Sequence, residues 1–245
     1  MAQFRMKIAG KTAAVESLYD STRDYCVRYF SEDAADFSIA VTREDLAFEQ
    51  QELLREALEE GIRVRRFPDP FLDRAAIQRK FAEYLFEYDT LLVHGSTVAV
   101  DGKAYLFTAK CGTGKSTHTR LWREVFGDRT VMVNDDKPFL RLTEAGVLAC
   151  GAPWSGKHGL DSNITVPLQG ICILHRGPED RIWPHDKEEA LEMLRKQTYH
   201  PVDPETNPRF LALTQALADK VPLWRMECTR DPQAARTAYA AMVQG

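Results

Sequence analysis

Apolar positions recur along this chain with two periods. Short stretches alternate with period two, and longer ones repeat at roughly 3.6 residues, so strands and helices succeed each other throughout. Phe4 to Ala9 reads as a strand, Asp20 to Phe30 as a short helix, and Asp36 to Val41 (D-F-S-I-A-V) as an alternating strand. Thr42 opens a helix, with Asp45 in the return position of a capping box. Leu46, Leu53, Leu54, Ala57 and Leu58 form its apolar face, and Gly61 closes it. Arg63, Arg65 and Arg66 alternate with Ile62 and Val64 like the solvent side of a strand. Pro68 and Pro70 mark a loop. From near Asp73, Ile77, Phe81, Tyr84, Leu85 and Tyr88 recur at helical spacing, an aromatic stripe that reads as core.

The pattern tightens near residue 90. Leu91 to Val100 is a strand, Asp101-Gly102 a hairpin turn, and Ala104 to Phe107 a second strand. A helix runs from Lys115 through Thr119, Leu121, Trp122 and Val125 to Gly127, and Thr130 to Val133 is a short buried strand. Phe139 to Leu142 and Gly146 to Cys150 form another hairpin. Leu168 to Leu174 is an apolar strand with which Arg181 to Trp183 is expected to pair. Asp186 caps a helix bearing Ala190, Leu191 and Leu194, and Pro201, Pro204 and Pro208 make a linker. A helix over Phe210 to Lys220, a strand over Val221 to Cys228 and a helix from Asp231 to about Met242, with an alanine-rich packing face, complete the chain. The expected organisation is an N-terminal α+β lobe over 1–89 and an α/β domain over 90–245. An antiparallel hairpin precedes that domain's central helix, so its sheet is expected to be mixed.

The totals remove several classes of function. At 245 residues the chain suits one large domain or a domain with a smaller lobe. A net charge of −4 argues against a nucleic-acid-binding surface. Cys26, Cys111, Cys150, Cys172 and Cys228 are scattered, odd in number and without a C-x-x-C pair, and no secretory leader or membrane-length apolar run is visible. A reduced, cytoplasmic protein is expected, with no membrane partner. The six histidines lack the spacing of zinc ligands.

The chemistry concentrates in Tyr105-Leu106-Phe107-Thr108-Ala109-Lys110-Cys111-Gly112-Thr113-Gly114-Lys115-Ser116-Thr117. A strand feeding a glycine turn into a helix is an anion trap, because unpaired N–H groups and the helix dipole converge on the turn. Gly112 and Gly114 let the backbone wrap phosphate, and Thr113 and Thr117 lie in the same cradle. Lys115 supplies a point charge to the outer phosphates, and Ser116 offers a hydroxyl to Mg2+. Relative to G-x-x-x-x-G-K-[ST], the first glycine is replaced by Ala109. Downstream, the strand over 130–133 ends in Asn134-Asp135-Asp136-Lys137-Pro138, the position where such proteins place a metal ligand and a base. Adjacent carboxylates on a strand face opposite ways and so do different jobs.

Gly151-Ala152-Pro153-Trp154-Ser155-Gly156-Lys157-His158-Gly159 offers little core and reads as a functional loop. Lys157 either reaches a phosphate or substrate anion or is an exposed loop lysine. Trp154 either floors a pocket or plugs a core edge.

His94-Gly95, a hairpin, G-T-G-K-S and then Asp135-Asp136, in that order and at close spacing, resemble the catalytic domain of HPr kinase/phosphorylase and its bacterial relatives. More distantly, G-T-G-K-S-T followed by an acid pair looks like the nucleotide site of phosphoenolpyruvate carboxykinase. The resemblance covers roughly residues 90 to 142. It implies a mixed-sheet P-loop fold, with His94 beside the loop, Asp135 as base on the attacking hydroxyl, and Asp136 and Ser116 at the metal. The HPr kinase signature downstream is not recognisable, its place being taken by the Trp154 to Gly159 loop, so phosphorylation of the HPr serine is not supported. Neither are the basic residues present that would hold a carboxylic acid.

The expected activity is therefore an ATP-dependent, Mg2+-assisted phosphotransferase acting on a hydroxyl of a metabolite, peptide or protein. Lys115 and the 112–117 backbone hold the nucleotide and Lys157 neutralises charge on the transferring group. The alternatives are a nucleotide-binding sensor or clamp without transfer, and a thiol sensor at Cys111, beside a helix start and Lys110.

Overall fold

The computed structural model of the protein describes residues 1–59, 61, 66–200 and 207–244. Residues 62–65, read above as part of a strand, and Pro201 and Pro204, read as a linker, lie outside them. The chain divides into two compact units, Met1–Leu85 and Phe86–Gly245.

In the first unit, β1 (Ala2–Ile8) and β2 (Lys11–Ser17) form an antiparallel hairpin, and β3 (Phe37–Ala40) adds parallel to β2. The hairpin turns on Ala9 and Gly10, both at positive φ (50° and 81°), the two-residue geometry that suits strand twist. The apolar pattern does not predict β2, because its core positions are Ala13, Val15 and Ser17, too small and too mixed to make an apolar run. The region expected as one helix over Asp20 to Phe30 is α1 (Asp20–Tyr25) followed by a 3-10 turn over Val27–Tyr29. α2 (Arg43–Glu59) opens on the expected capping box: Thr42 N donates to Asp45 Oδ2 at 2.9 Å, and Asp45 N to Thr42 Oγ1 at 3.2 Å. α3 (Asp69–Phe86) starts earlier than the pattern suggests, with Pro70 tolerated in its first turn. Ile77, Phe81 and Leu85 are fully buried, whereas Tyr88 lies beyond the helix and is exposed.

The second unit is built on a nine-stranded mixed sheet. Its strands are β4 (Thr90–Leu92), β5 (Ser96–Val100), β6 (Lys103–Thr108), β7 (Thr130–Asn134), β8 (Phe139–Thr143), β9 (Gly146–Cys150), β10 (Thr165–Arg176), β11 (Arg181–Pro184) and β12 (Leu223–Cys228). They run in the order β4-β8-β9-β10-β6-β5-β7, with β12 also on β10 and β11 on β12. The long β10 changes partners along its length. Its start, Thr165 to Pro167, pairs antiparallel with β9, and from Ile171 onward it lies parallel to both β6 and β12. The expected α/β class with a mixed sheet is what the chain has. The expected pairing of Arg181 to Trp183 with the 168–174 strand is not found. β12 takes the place beside β10, and β11 pairs antiparallel with β12.

Helices α4 (Lys115–Phe126), α5 (Lys187–Gln197), α6 (Asn207–Lys220) and α7 (Gln233–Met242) complete the unit. Pro208 sits in the first turn of α6 instead of in a linker. Strand alternation sorts the sheet residues into two cores. Ala104, Leu106, Ala99 and Ile171 pack in one core with Leu194 of α5 and Leu217 of α6. Tyr105, Phe107, Val98 and Cys172 pack in the other with Leu121 and Trp122 of α4 and the alanines of α7. Trp122 is fully buried against Tyr105 and Phe107. Trp122→Ala is expected to destabilise the protein by about 3–5 kcal/mol. A denaturant titration reads that directly.

Candidate functional site

The glycine turn joins the end of β6 to the start of α4. Gly112 and Gly114 both have positive φ, 74° and 128°, a backbone region that L side chains rarely enter. Thr113 N donates to Lys110 O at 3.2 Å, and His118 N to Gly114 O at 2.9 Å, so the loop closes on itself and feeds the helix directly. Ala109, the departure from the usual motif, does not have positive φ, and its methyl is buried in the core with Phe107 and Trp122. Its side chain thus packs inward, and this loop needs no glycine there. Lys115 is largely buried and arches back over the turn, its Nζ donating to Ala109 O at 3.1 Å. Ser116 and Thr117 are half-buried at the helix start, and neither hydroxyl makes a hydrogen bond among the described residues.

The two aspartates follow the end of β7 and have different surroundings. Asp135 is buried, and its Oδ1 accepts from Ser96 Oγ at 2.6 Å. The same Ser96 hydroxyl lies 2.7 Å from Thr119 Oγ1 on α4. With the Ser96 proton on Asp135, Thr119 Oγ1 donates to Ser96 Oγ, and it lies 3.4 and 3.3 Å from the Lys115 and Ser116 carbonyls. Asp135 is thereby tied, through Ser96, to Thr119 of the helix that the glycine loop opens. Ser96 escapes a reading of the sequence because a lone serine in an apolar strand looks like a tolerated small residue. Its one signal is its place directly after His94-Gly95.

Asp136 has different partners. Its Oδ1 approaches His94 Nε2 at 3.5 Å, and its backbone is pinned by Asp136 N to Asn134 Oδ1 at 2.8 Å and Gly95 N to Asp136 O at 2.9 Å. Burial, helped by the Asp135 charge, pushes its carboxyl above the ordinary range, against the pull of Lys137 and Lys115. Burial, reinforced by Lys137 and Lys115, holds His94 down to about 3, so the imidazole is neutral and its approach to Asp136 is not an ion pair. Lys115, His94 and Asp136 therefore share one electrostatic neighbourhood. Gly95 belongs there for a steric reason. A methyl on it would lie 2.8 Å from Leu106 Cδ1 and 3.0 Å from Phe107 O, so β6 passes too close for any side chain.

The glycine-rich segment after β9 folds over the acid pair. A Cβ on Gly156 would sit 3.1 Å from Asp136 Cβ, and Asn134 Nδ2 holds the segment by donating to Ala152 O at 2.7 Å and Trp154 O at 3.2 Å. Trp154 is buried with its ring edge-on to Phe139, which settles its two readings in favour of packing. Lys157 lies on a 3-10 turn, Gly156–His158, and is exposed. Its ammonium carries no hydrogen bond or ion pair among the described residues, so it is a solvent-facing neighbour of the site and not a part of its hydrogen-bonded framework. Sequence reasoning also passed over Arg176. At the end of β10, it donates from Nε to Thr113 O at 3.2 Å and from Nη2 to Gly112 O, bracing the carbonyl side of the loop. A charged residue ending an apolar strand gives no local hint of that contact.

Among the described residues no group of three or more His, Cys, Asp or Glu side chains forms a protein-only metal cage. The oxygens of Ser116, Asp135 and Asp136 are donors of the kind that suit Mg2+, which usually takes few protein ligands and completes its shell with water and substrate phosphate. No helix of the described residues is long and apolar enough to cross a membrane.

No family model matches the chain, and no curated protein matches it. Among solved structures the chain is similar to the Hpr(Ser) kinase/phosphatase from Coxiella burnetii, at 10% identity and a TM-score of 0.36, over 62% of this chain and 97% of that one.

Proposed function

We propose that the protein is a Mg2+-assisted phosphotransferase that moves the terminal phosphoryl group of a nucleoside triphosphate to a hydroxyl. The observation that carries this reading is the Ser96 hydroxyl, which joins Asp135 to Thr119 of α4 and so ties a buried carboxylate to the helix that the glycine loop opens. The loop N–H groups and Lys115 bind the β- and γ-phosphates. Ser116 and Asp136 would hold Mg2+, which supplies charge neutralisation at the phosphates. Asp135 takes the proton of the acceptor hydroxyl while the acceptor oxygen bonds to phosphorus and the bond to the nucleoside diphosphate breaks. Neutral His94 orients Asp136 without adding charge. Such reactions gain most of their rate from positioning and electrostatic stabilisation, which these parts provide.

The test is ADP release from ATP and Mg2+ across a panel of hydroxyl compounds and serine peptides. Acceptor-dependent release supports the proposal. Tight ATP binding with no release from any acceptor would favour a nucleotide-holding module instead. Ser96→Ala removes the donor that fixes Asp135. Because a hydrogen bond to a charged group is worth about 1.5–3 kcal/mol, kcat is expected to fall by about tenfold to a hundredfold. Ser96→Thr, which keeps the hydroxyl, is expected to restore most of it, and KM for ATP is expected to hold in both.

A further inference from the structure

A cavity of about 620 Å³ opens beside the glycine loop, on the side away from the acids. Its walls include Lys110 and Cys111 of the loop, Leu174, His175 and Arg176 at the end of β10, and Met193 of α5. β6 and β10 are parallel neighbours that both end here. A crevice outside the carboxyl ends of adjacent parallel strands is where open α/β sheets bind ligands. The volume lies within the roughly 300–1,000 Å³ of small-molecule sites.

We infer that this cavity receives the nucleoside end of the phosphoryl donor, a planar base with its sugar. The inference rests on the proposed reading of the loop as a polyphosphate cup. The strand order β10-β6-β5-β7 puts the end of β7, with Asp135 and Asp136, on one side of the loop and the end of β10 on the other. A phosphate that is to be transferred must lie beside Asp135. The donor is a linear chain, so its far end leaves the loop toward β10. The acceptor has to approach Asp135, which leaves the β10 side to the nucleoside.

The lining suits that occupant. Leu174 and Met193 offer apolar walls, and a thioether makes favourable contacts with aromatic rings. Arg176 is held against the loop by its bonds to the Gly112 and Thr113 carbonyls, so the wall and the cup move together. His175 Nε2 is buried and makes no hydrogen bond among the described residues.

The test compares ATP with inorganic tripolyphosphate, each with Mg2+, on the full chain. For the native protein ATP is expected to bind at least about tenfold more tightly than tripolyphosphate. Met193→Trp, at a half-buried position, fills the cavity and is expected to weaken ATP by about tenfold while leaving tripolyphosphate unchanged. Equal native affinities, or a Met193→Trp protein that binds ATP as before, would overturn the inference. If neither ligand binds the native protein, the cup itself is refuted and the cavity assignment goes with it. A second readout needs no substitution. Cys111 is exposed on the cavity wall, whereas Cys26, Cys150 and Cys172 are buried and Cys228 half-buried. Saturating ATP is expected to slow iodoacetamide modification of Cys111 well beyond what saturating tripolyphosphate does. Equal protection by the two contradicts the assignment.

Discussion

Lys115→Ala is expected to lower ATP turnover by about 10²- to 10³-fold, the usual cost of deleting one preorganised group that meets developing charge. Lys115 is largely buried, so its ammonium acts through low-dielectric surroundings and is weakly screened. It bridges back to Ala109 O, which keeps it over the turn before any nucleotide arrives. Its loss should weaken nucleotide binding and transfer together, since the same cation meets ground-state and transition-state phosphate. The fold should survive, because the apolar core that holds α4 runs through Leu121 and Trp122 and does not include Lys115. The variant has an independent readout at His94. The Lys115 charge is one of the causes that hold this imidazole down to about 3. Removing it is expected to move the His94 titration upward, as followed by proton resonance. An unchanged turnover would remove Lys115 from the site.

Asp135→Asn is the second large effect. Asparagine keeps the shape, and its side-chain oxygen can still accept from Ser96 Oγ, now at 2.6 Å from Asp135 Oδ1. Packing and the tie to Thr119 should therefore persist. What disappears is the capacity to take a proton. Turnover is expected to fall by about 10²- to 10⁴-fold, the range for losing a general base, while ATP affinity changes little. Equal losses in binding and turnover would make Asp135 a metal ligand. Full turnover would strip it of any role. The two variants thus separate binding by the loop from chemistry at the acid pair.

Local pattern carried much of this molecule. The capping box at Thr42 and Asp45, the Asp101-Gly102 turn and the glycine loop each depend on a few neighbouring residues, and all are where the pattern puts them. What the pattern missed depends on distant partners. β2 is held by pairing on both sides and buries small residues, so it lacks an apolar signature. β11 was assigned to the wrong neighbour because β12, nearly forty residues later, inserts beside β10. In the site, residues joined to a sequence motif were visible and those that support them were not. Ser96 and Arg176 matter through contacts with Asp135, Gly112 and Thr113, at separations no local rule reaches. Ala109 looked like a defect in the motif. Its methyl is buried in the core and its backbone does not have positive φ, so alanine meets the needs of the position in this chain.

The most direct measurement is a calorimetric titration of ATP into the native chain, with and without Mg2+, repeated on Lys115→Ala and Asp136→Asn. The account predicts one nucleotide per chain, tighter binding with Mg2+, severe loss of affinity in Lys115→Ala, and loss of the Mg2+ enhancement alone in Asp136→Asn. Absence of binding to the native chain, or affinities indifferent to Mg2+ and to both substitutions, would contradict it.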